Sequence, residues 1–219
     1  VAPDIAEQSE GAEAADLEQG SQVLRRLVND VGAWFPRNSK RESVTTEIRL
    51  DASPASVWKA LRFYEEIPNR PGPFLSALLP LPLRSEGEKT RVGASIRCIY
   101  QGGHLLKRIT VSEPPHLLRF DVLEQHLGIE NSVSMGEGCY EIRPREGGSD
   151  VLLTTQYVGH LRPRFLFRPV ERMLAHHVHR HILEGMRTLL RAATALTVSE
   201  PHSLVRLAPA AGGPRPPVA

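Results

Sequence analysis

Apolar and polar positions alternate along much of this 219-residue chain. Val44, Thr46, Ile48 and Leu50 share one parity while Thr45, Glu47 and Arg49 hold the other, which predicts a strand with one buried face. Ser53 or Asp51 can cap a following helix. That helix starts at Pro54 and carries Val57, Trp58, Leu61 and Tyr64 as an apolar stripe until Pro68 stops it. The proline-rich stretch 69–88 reads as a long loop with at most a short strand. From Arg91 the period of two returns as a meander. Its inward positions are Ile96, Cys98 and Tyr100, then Leu105, Ile109 and Val111, then Leu118, Phe120 and Val122. Tyr140 and Ile142 follow, and Val151, Leu153, Thr155 and Tyr157 close the series, with Gly102–Gly103 and Gly147–Gly148 as turns. After Pro169 the spacing becomes helical and stays so to near Val198. At the other end, Leu17, Val23, Leu24, Leu27, Val28, Val31 and Trp34 predict an amphipathic helix over 15–35 that must rest on something.

One strand, a helix, a loop, a run of antiparallel strands and a long last helix make an α+β order. The expected architecture is a curved antiparallel sheet wrapped around a long C-terminal helix, with an extra N-terminal helix. A curved sheet and a helix cannot meet everywhere, so such a sheet closed over a helix leaves an internal cavity. Three segments result: an acidic arm with amphipathic helix and linker (1–43), a ligand-binding domain (44–198), and a Pro/Ala/Gly-rich tail expected to be disordered (199–219).

Composition narrows the function classes. With 41% hydrophobic and 24% charged residues and a net charge of +2, neither wholesale disorder nor a highly charged nucleic-acid wrapper fits. No nucleic-acid motif is present, and aromatics make up 5% of the chain, so no nucleic-acid partner is expected. The longest uncharged apolar stretch, Pro71 to Leu83, is interrupted by prolines and falls short of the ~20 residues of a membrane span. The acidic, alanine-rich start lacks the basic and apolar regions of a secretory signal, which makes a cytoplasmic location the default expectation. Cys98 and Cys139 have no CxxC or metal-ligand spacing and read as reduced thiols in strands. The charge is unevenly spread. The first 20 residues carry six acids and no Lys or Arg, whereas 162–191 hold seven arginines against Glu171 and Glu184.

Three stretches carry a family likeness: VTTEIRLDASPASVWKAL at 44–61, KRITVSEPPHLLRFDVLEQ at 107–125 and RPVERMLAHHVHRHILEGMRTLL at 168–190. Through them the chain resembles the helix-grip (SRPBCC) superfamily of START-like, birch-allergen-like and polyketide cyclase/dehydrase proteins, from residue 44 to about 195. The resemblance implies a hydrophobic cavity between sheet and terminal helix, holding lipids, polyketides or other apolar ligands. Some members bind or transfer their ligand and others are cyclases, dehydratases or hydrolases. The family has no universal catalytic motif, so no catalytic residue is transferred, and the N-terminal helix lies outside its usual core.

Candidate chemistry centres on the last helix and the strand faces. A helical wheel places Val170, Leu174, Val178, His181, Ile182, Gly185, Leu189 and Ala193 on one face, with His177 at its edge. His176, His179 and Arg180 then point to solvent. His181, with His177 as the second choice, is read as a polar anchor for an apolar ligand, with Gly185 leaving room beside it. The bland reading is a satisfied core histidine. His177 and His181 are spaced to share a metal, yet no HExxH motif or third ligand accompanies them, so neither metal nor cofactor is expected. On the strands, Tyr100, Glu124, Tyr140, Thr155 and Tyr157 are read as facing inward, where tyrosines suit an aromatic or polycyclic ligand or simply fill the core. Phe120, Val122 and Leu174 complete the candidate ligand contacts. The arginine-rich LRPRFLFRP segment reads first as a solvated face and second as a surface for transient contact with an anionic membrane. No GxSxG elbow or glycine-rich nucleotide loop occurs. The favoured function is binding or transport of a hydrophobic small molecule, with a cyclase/dehydratase using the same cavity as the alternative.

Overall fold

The computed structural model describes residues 5–37, 40–67 and 71–198. The elements run α1 (Ile5–Ala33), β1 (Glu42–Leu50), α2 (Pro54–Lys59), a single 3-10 turn (Tyr64–Glu66), α3 (Pro73–Leu78), β2 (Pro82–Gly87), β3 (Ser95–Tyr100), β4 (Gly103–Glu113), β5 (Leu117–His126), β6 (Val133–Arg145), β7 (Gly148–Gly159) and α4 (Arg164–Val198). The strands form one antiparallel sheet in the order β1-β7-β6-β5-β4-β3-β2. After β1 the chain crosses through α2 and α3 to the far edge, and each later strand is laid beside the one before until β7 meets β1.

The meander follows from its turns and parity. Gly102, at φ +80°, makes the tight turn from β3 to β4 that a side-chain-bearing residue adopts only with strain. The inward residues Ile96, Cys98, Leu105, Ile109, Leu118, Tyr140, Ile142, Val151 and Leu153 are all buried. They pack with Val57, Leu61 and Phe63 and with Ile182, Leu183 and Met186 of α4 into one core.

Helix ends are partly legible in the sequence. Ser53 caps α2 as expected, its side chain accepting from the Ser56 amide, and Pro54 opens the helix. The apolar stripe nevertheless overstates its length: α2 stops at Lys59, and Leu61, Phe63 and Tyr64 reach the core from the irregular segment and 3-10 turn that follow. The proline-rich stretch contains α3 as well as the short strand β2. α4 begins at Arg164, ahead of the predicted start, and Pro169 lies within its second turn, where the ladder lacks the N–H that would reach the Phe165 carbonyl. The tail 199–219 lies outside the described residues.

The N-terminal helix is helical from Ile5, ahead of the start its apolar spacing predicts, and it packs through a face turned away from most of the expected stripe, of which Val28 and Val31 alone are half-buried among the described side chains. Val23, Leu27 and Trp34 are 62%, 60% and 82% exposed. The face against the body is polar: Arg25 donates to the Ser76 and Leu79 carbonyls at the end of α3 (3.0 and 3.1 Å). Asn29 accepts from the Asn131 amide at 2.9 Å, and Ser132 donates to the Val28 carbonyl at 3.1 Å. Gly32 seats directly on the Asn131 carbonyl, where a Cβ would collide. Hydrogen bonds to backbone groups and one contact free of a side chain hold this helix, so hydrophobic spacing alone misassigns its inner face.

Candidate functional site

Between the concave sheet face and α4 lies a cavity of about 180 Å³. Its walls are apolar over most of their extent: Phe63 comes from the segment before the 3-10 turn, Leu105 from β4, Phe120 and Val122 from β5, Leu153 from β7, and Leu174, Val178 and Ile182 from α4. Gly138 keeps the wall thin, because any Cβ there would run into the Phe120 ring.

Polar groups break this apolar wall at a few points. Glu65 projects from the 3-10 turn, and Lys107 projects from β4 between Leu105 and Ile109. Lys107 Nζ stands 3.0 and 3.1 Å from the two Glu65 carboxylate oxygens, with side-chain exposures of 7% and 0%. The Tyr100 hydroxyl donates to Glu65 Oε1. Lys107 also sits over the Phe63 ring, 4.5 Å from its centroid, and 5.4 Å from that of Phe120. Burial by itself would lower the Lys107 pKa, but the Glu65 carboxylate beside it outweighs burial and the net direction is up. Lys107 therefore stays an ammonium. Burial first, then the Glu65 charge, pushes the Tyr100 phenol well above its ordinary range.

Two further tyrosines line the cavity. The Tyr64 and Tyr157 hydroxyls are buried and make no hydrogen bond among the described residues. Burial, helped by Glu171 and Glu42, pushes Tyr157 up to about 12, and burial with Glu65 pushes Tyr64 higher than a free phenol. Both are neutral donors at physiological pH. Tyr140 differs, since its hydroxyl donates to the Arg62 carbonyl at 2.7 Å.

His179, expected to point to solvent, is the histidine at the cavity. It is 1% exposed and held between two hydroxyls, with Thr46 Oγ1 3.0 Å from Nδ1 and Thr155 Oγ1 2.8 Å from Nε2. Thr46 Oγ1 is also 2.8 Å from His176 Nδ1. Burial and then the neighbouring His176 push the His179 pKa down to about 4, so the ring is neutral at pH 7.

Of the contacts expected from the sequence, Tyr100, Phe120, Val122, Tyr140, Tyr157 and Leu174 line this space, and His177, His181 and Gly185 do not. His177 bonds to the Met173 carbonyl and packs its ring on Phe74 near the surface. His181 stacks edge-on against Tyr64, outside the cavity, in a shallow groove with Ile67 and Gly185. Gly185 serves packing: a Cβ there would lie 2.8 Å from Ile67 carbons. The cavity face of α4 runs through Glu171, Leu174, Ala175, Val178, His179 and Ile182, rotated by about 40° from the predicted stripe at roughly 100° per residue. The predicted stripe includes Val170, which is 44% exposed. Glu124 is likewise not inward but 53% exposed on the outer face, because an extra residue at Leu123 breaks the period between β4 and β5.

Sequence reasoning missed Lys107, Glu65 and His179. The period of two does place Lys107 with Leu105 and Ile109, a lysine at a core parity. Glu65 carries no such signal, since it stands on a 3-10 turn. The arginine-rich segment is partly neutralised internally: Arg164 forks onto Glu171 (2.6 and 2.7 Å), Arg168 meets Glu42 at 3.0 Å and Arg187 meets Glu184 at 2.6 Å.

The family model described as polyketide cyclase/dehydrase and lipid transport matches residues 41–194. The chain belongs to this family. Among solved structures, an uncharacterised protein from Rhizobium leguminosarum superposes with a TM-score of 0.52 at 14% identity, covering 72% of this chain and 99% of that one. A protein from Thermus thermophilus gives 0.50 at 17% identity, with 70% and 99% covered. A norcoclaurine synthase point mutant from Thalictrum flavum, bound to a transition-state analogue, gives 0.50 at 15% identity, with 73% and 99% covered. At these identities the likeness establishes the helix-grip fold shared with Bet v 1-like proteins. No curated protein matches the chain. No described helix is long and apolar enough to cross a membrane.

Proposed function

We propose that the chain binds a hydrophobic small molecule in the cavity between the sheet and α4. The observation that carries this reading is a buried apolar space whose lining includes two tyrosines, Tyr64 and Tyr157, with buried hydroxyls that have no hydrogen-bond partner among the described residues. An unpaired buried hydroxyl costs about 1–3 kcal/mol, a penalty a ligand oxygen or nitrogen removes. Apolar contact supplies affinity at roughly 25 cal/mol per Å², and the phenols orient the ligand. An engineered cavity of about 150 Å³ takes up benzene. At about 180 Å³, this one suits a single aromatic ring or the apolar end of a longer molecule without rearrangement. Native mass spectrometry of gently purified protein tests the reading: a bound small molecule, lost when Val178 is replaced by Trp to fill the space, supports it. A chain that carries nothing and takes up no apolar compound contradicts it.

The Glu65–Lys107 pair favours a second reading, a cyclase or dehydratase in the same cavity. A carboxylate able to accept a proton from carbon and an ammonium able to give one to a departing oxygen belong to two residues that line the same space. The distinguishing result is a ligand released lighter by one water from wild type and unaltered from Lys107→Met.

A further inference from the structure

The outer face of the sheet carries a second cluster, unrelated to the cavity. His104 on β4 pairs directly with His126 on β5, and Glu124 lies one outward position away on the same strand. One ligand atom from each of the three lies within 4.8 Å of the others. His104 Nε2 is 3.7 Å from Glu124 Oε2, and the two imidazole centroids are 4.8 Å apart.

Three local features build this grouping. The extra residue at Leu123 shifts the parity of β5, turning Glu124 and His126 to the side of His104 instead of into the core. Gly103 lets the strand ends close up, since a Cβ there would strike the His126 carbonyl. Between the two β5 ligands, Gln125 is clamped from the other side: its amide donates to the Val133 carbonyl at 2.9 Å and accepts from the Met135 amide at 2.7 Å. The loop beyond His126 is tied down by Glu130, which accepts from the Leu127 and Gly128 amides. The three side chains thus stand on a fixed backbone.

We propose that His104, Glu124 and His126 bind a divalent transition-metal ion, with zinc the best match to two imidazoles and one carboxylate. Zinc–ligand bonds of about 2.0–2.2 Å require ligand atoms roughly 3–3.5 Å apart, so atoms that now lie within 4.8 Å of one another need to close by no more than roughly 1–2 Å. Three protein ligands leave a fourth position facing solvent. The site stands independently of the proposed cavity ligand. Its sequence spacing carries no motif, because strand pairing, not proximity in the chain, brings His104 to the other two.

The test is equilibrium dialysis and calorimetric titration of the EDTA-treated full chain with zinc, with cobalt(II) as a spectroscopic stand-in. Wild type should bind with saturation, show the visible bands of cobalt held by nitrogen ligands, and melt at a higher temperature with zinc than without. His104→Ala, His126→Ala and Glu124→Gln should each weaken zinc by at least roughly tenfold while leaving the metal-free melting temperature unchanged, since all three groups are solvent-accessible. His177→Ala, on α4 and remote from the cluster, should behave as wild type. Absence of saturable binding, or undiminished affinity in any of the three ligand variants, overturns the proposal.

Discussion

Lys107 Nζ on β4 lies 3.0 Å from Glu65 Oε1 on the 3-10 turn, and neither side chain has appreciable contact with water. The pair spans the cavity wall and ties the crossover segment to the sheet. Removing one partner strands a charge in apolar surroundings at a cost of about 3–5 kcal/mol, whereas removing both together costs far less. Lys107→Met and Glu65→Leu should each lower the urea midpoint sharply, and the two substitutions together should recover most of the loss. Additive single and double effects in urea denaturation would refute a mutually dependent pair.

His179 makes stability depend on pH. Its folded-state pKa is pushed down to about 4 from the ordinary 6.5, so the unfolded chain takes up the proton first as acid is added. The contribution is complete above about pH 6.5 and is lost as pH falls toward 4. A depression of this size corresponds to on the order of 3 kcal/mol. His160, pushed down chiefly by burial, acts with the same sign. Unfolding free energy should therefore fall as the pH is lowered from neutral toward about 4, and His179→Gln should flatten the slope. An unchanged slope in that variant would show that His179 is not the titrating group.

Gly185 should tolerate no side chain for reasons of packing. Alanine there presses on Ile67 at 2.8 Å, and overpacking of this kind costs typically about 1–3 kcal/mol. Gly185→Ala is expected to lower the melting temperature while leaving uptake of an apolar probe unchanged. Selective loss of probe uptake would instead return Gly185 to the binding site.

The strands are legible because one sheet face is buried and the other is not, which writes a period of two into the residues from Val44 to Tyr157. Tyr100, Tyr140 and Tyr157 can be placed at the cavity on parity alone. Helix faces are less legible. In α4 histidines and arginines stand on both sides, so the stripe through His181 and Gly185 competes with the true one through His179 and Ile182. In α1 Val23 and Leu27 face outward and Arg25 faces in, because the helix docks on carbonyls. Glu124 is misplaced for a third reason: one extra residue at Leu123 inverts every later position on the strand, and parity cannot reveal where a bulge falls. Glu65, on a turn without periodicity, leaves no trace.

Titration of a fluorescent apolar probe into wild type, Val178→Trp and Tyr157→Phe, with melting temperatures as the folding control, bears most directly on the proposed binding cavity. Wild type should bind one probe per chain, and Val178→Trp, which fills the space from α4, should abolish uptake while still folding. Tyr157→Phe gives up no hydrogen bond within the described residues, so it should keep its stability and lose affinity only for competitors that carry a hydrogen-bonding oxygen or nitrogen. Equal probe affinity in wild type and a folded Val178→Trp chain would place binding elsewhere and contradict the account.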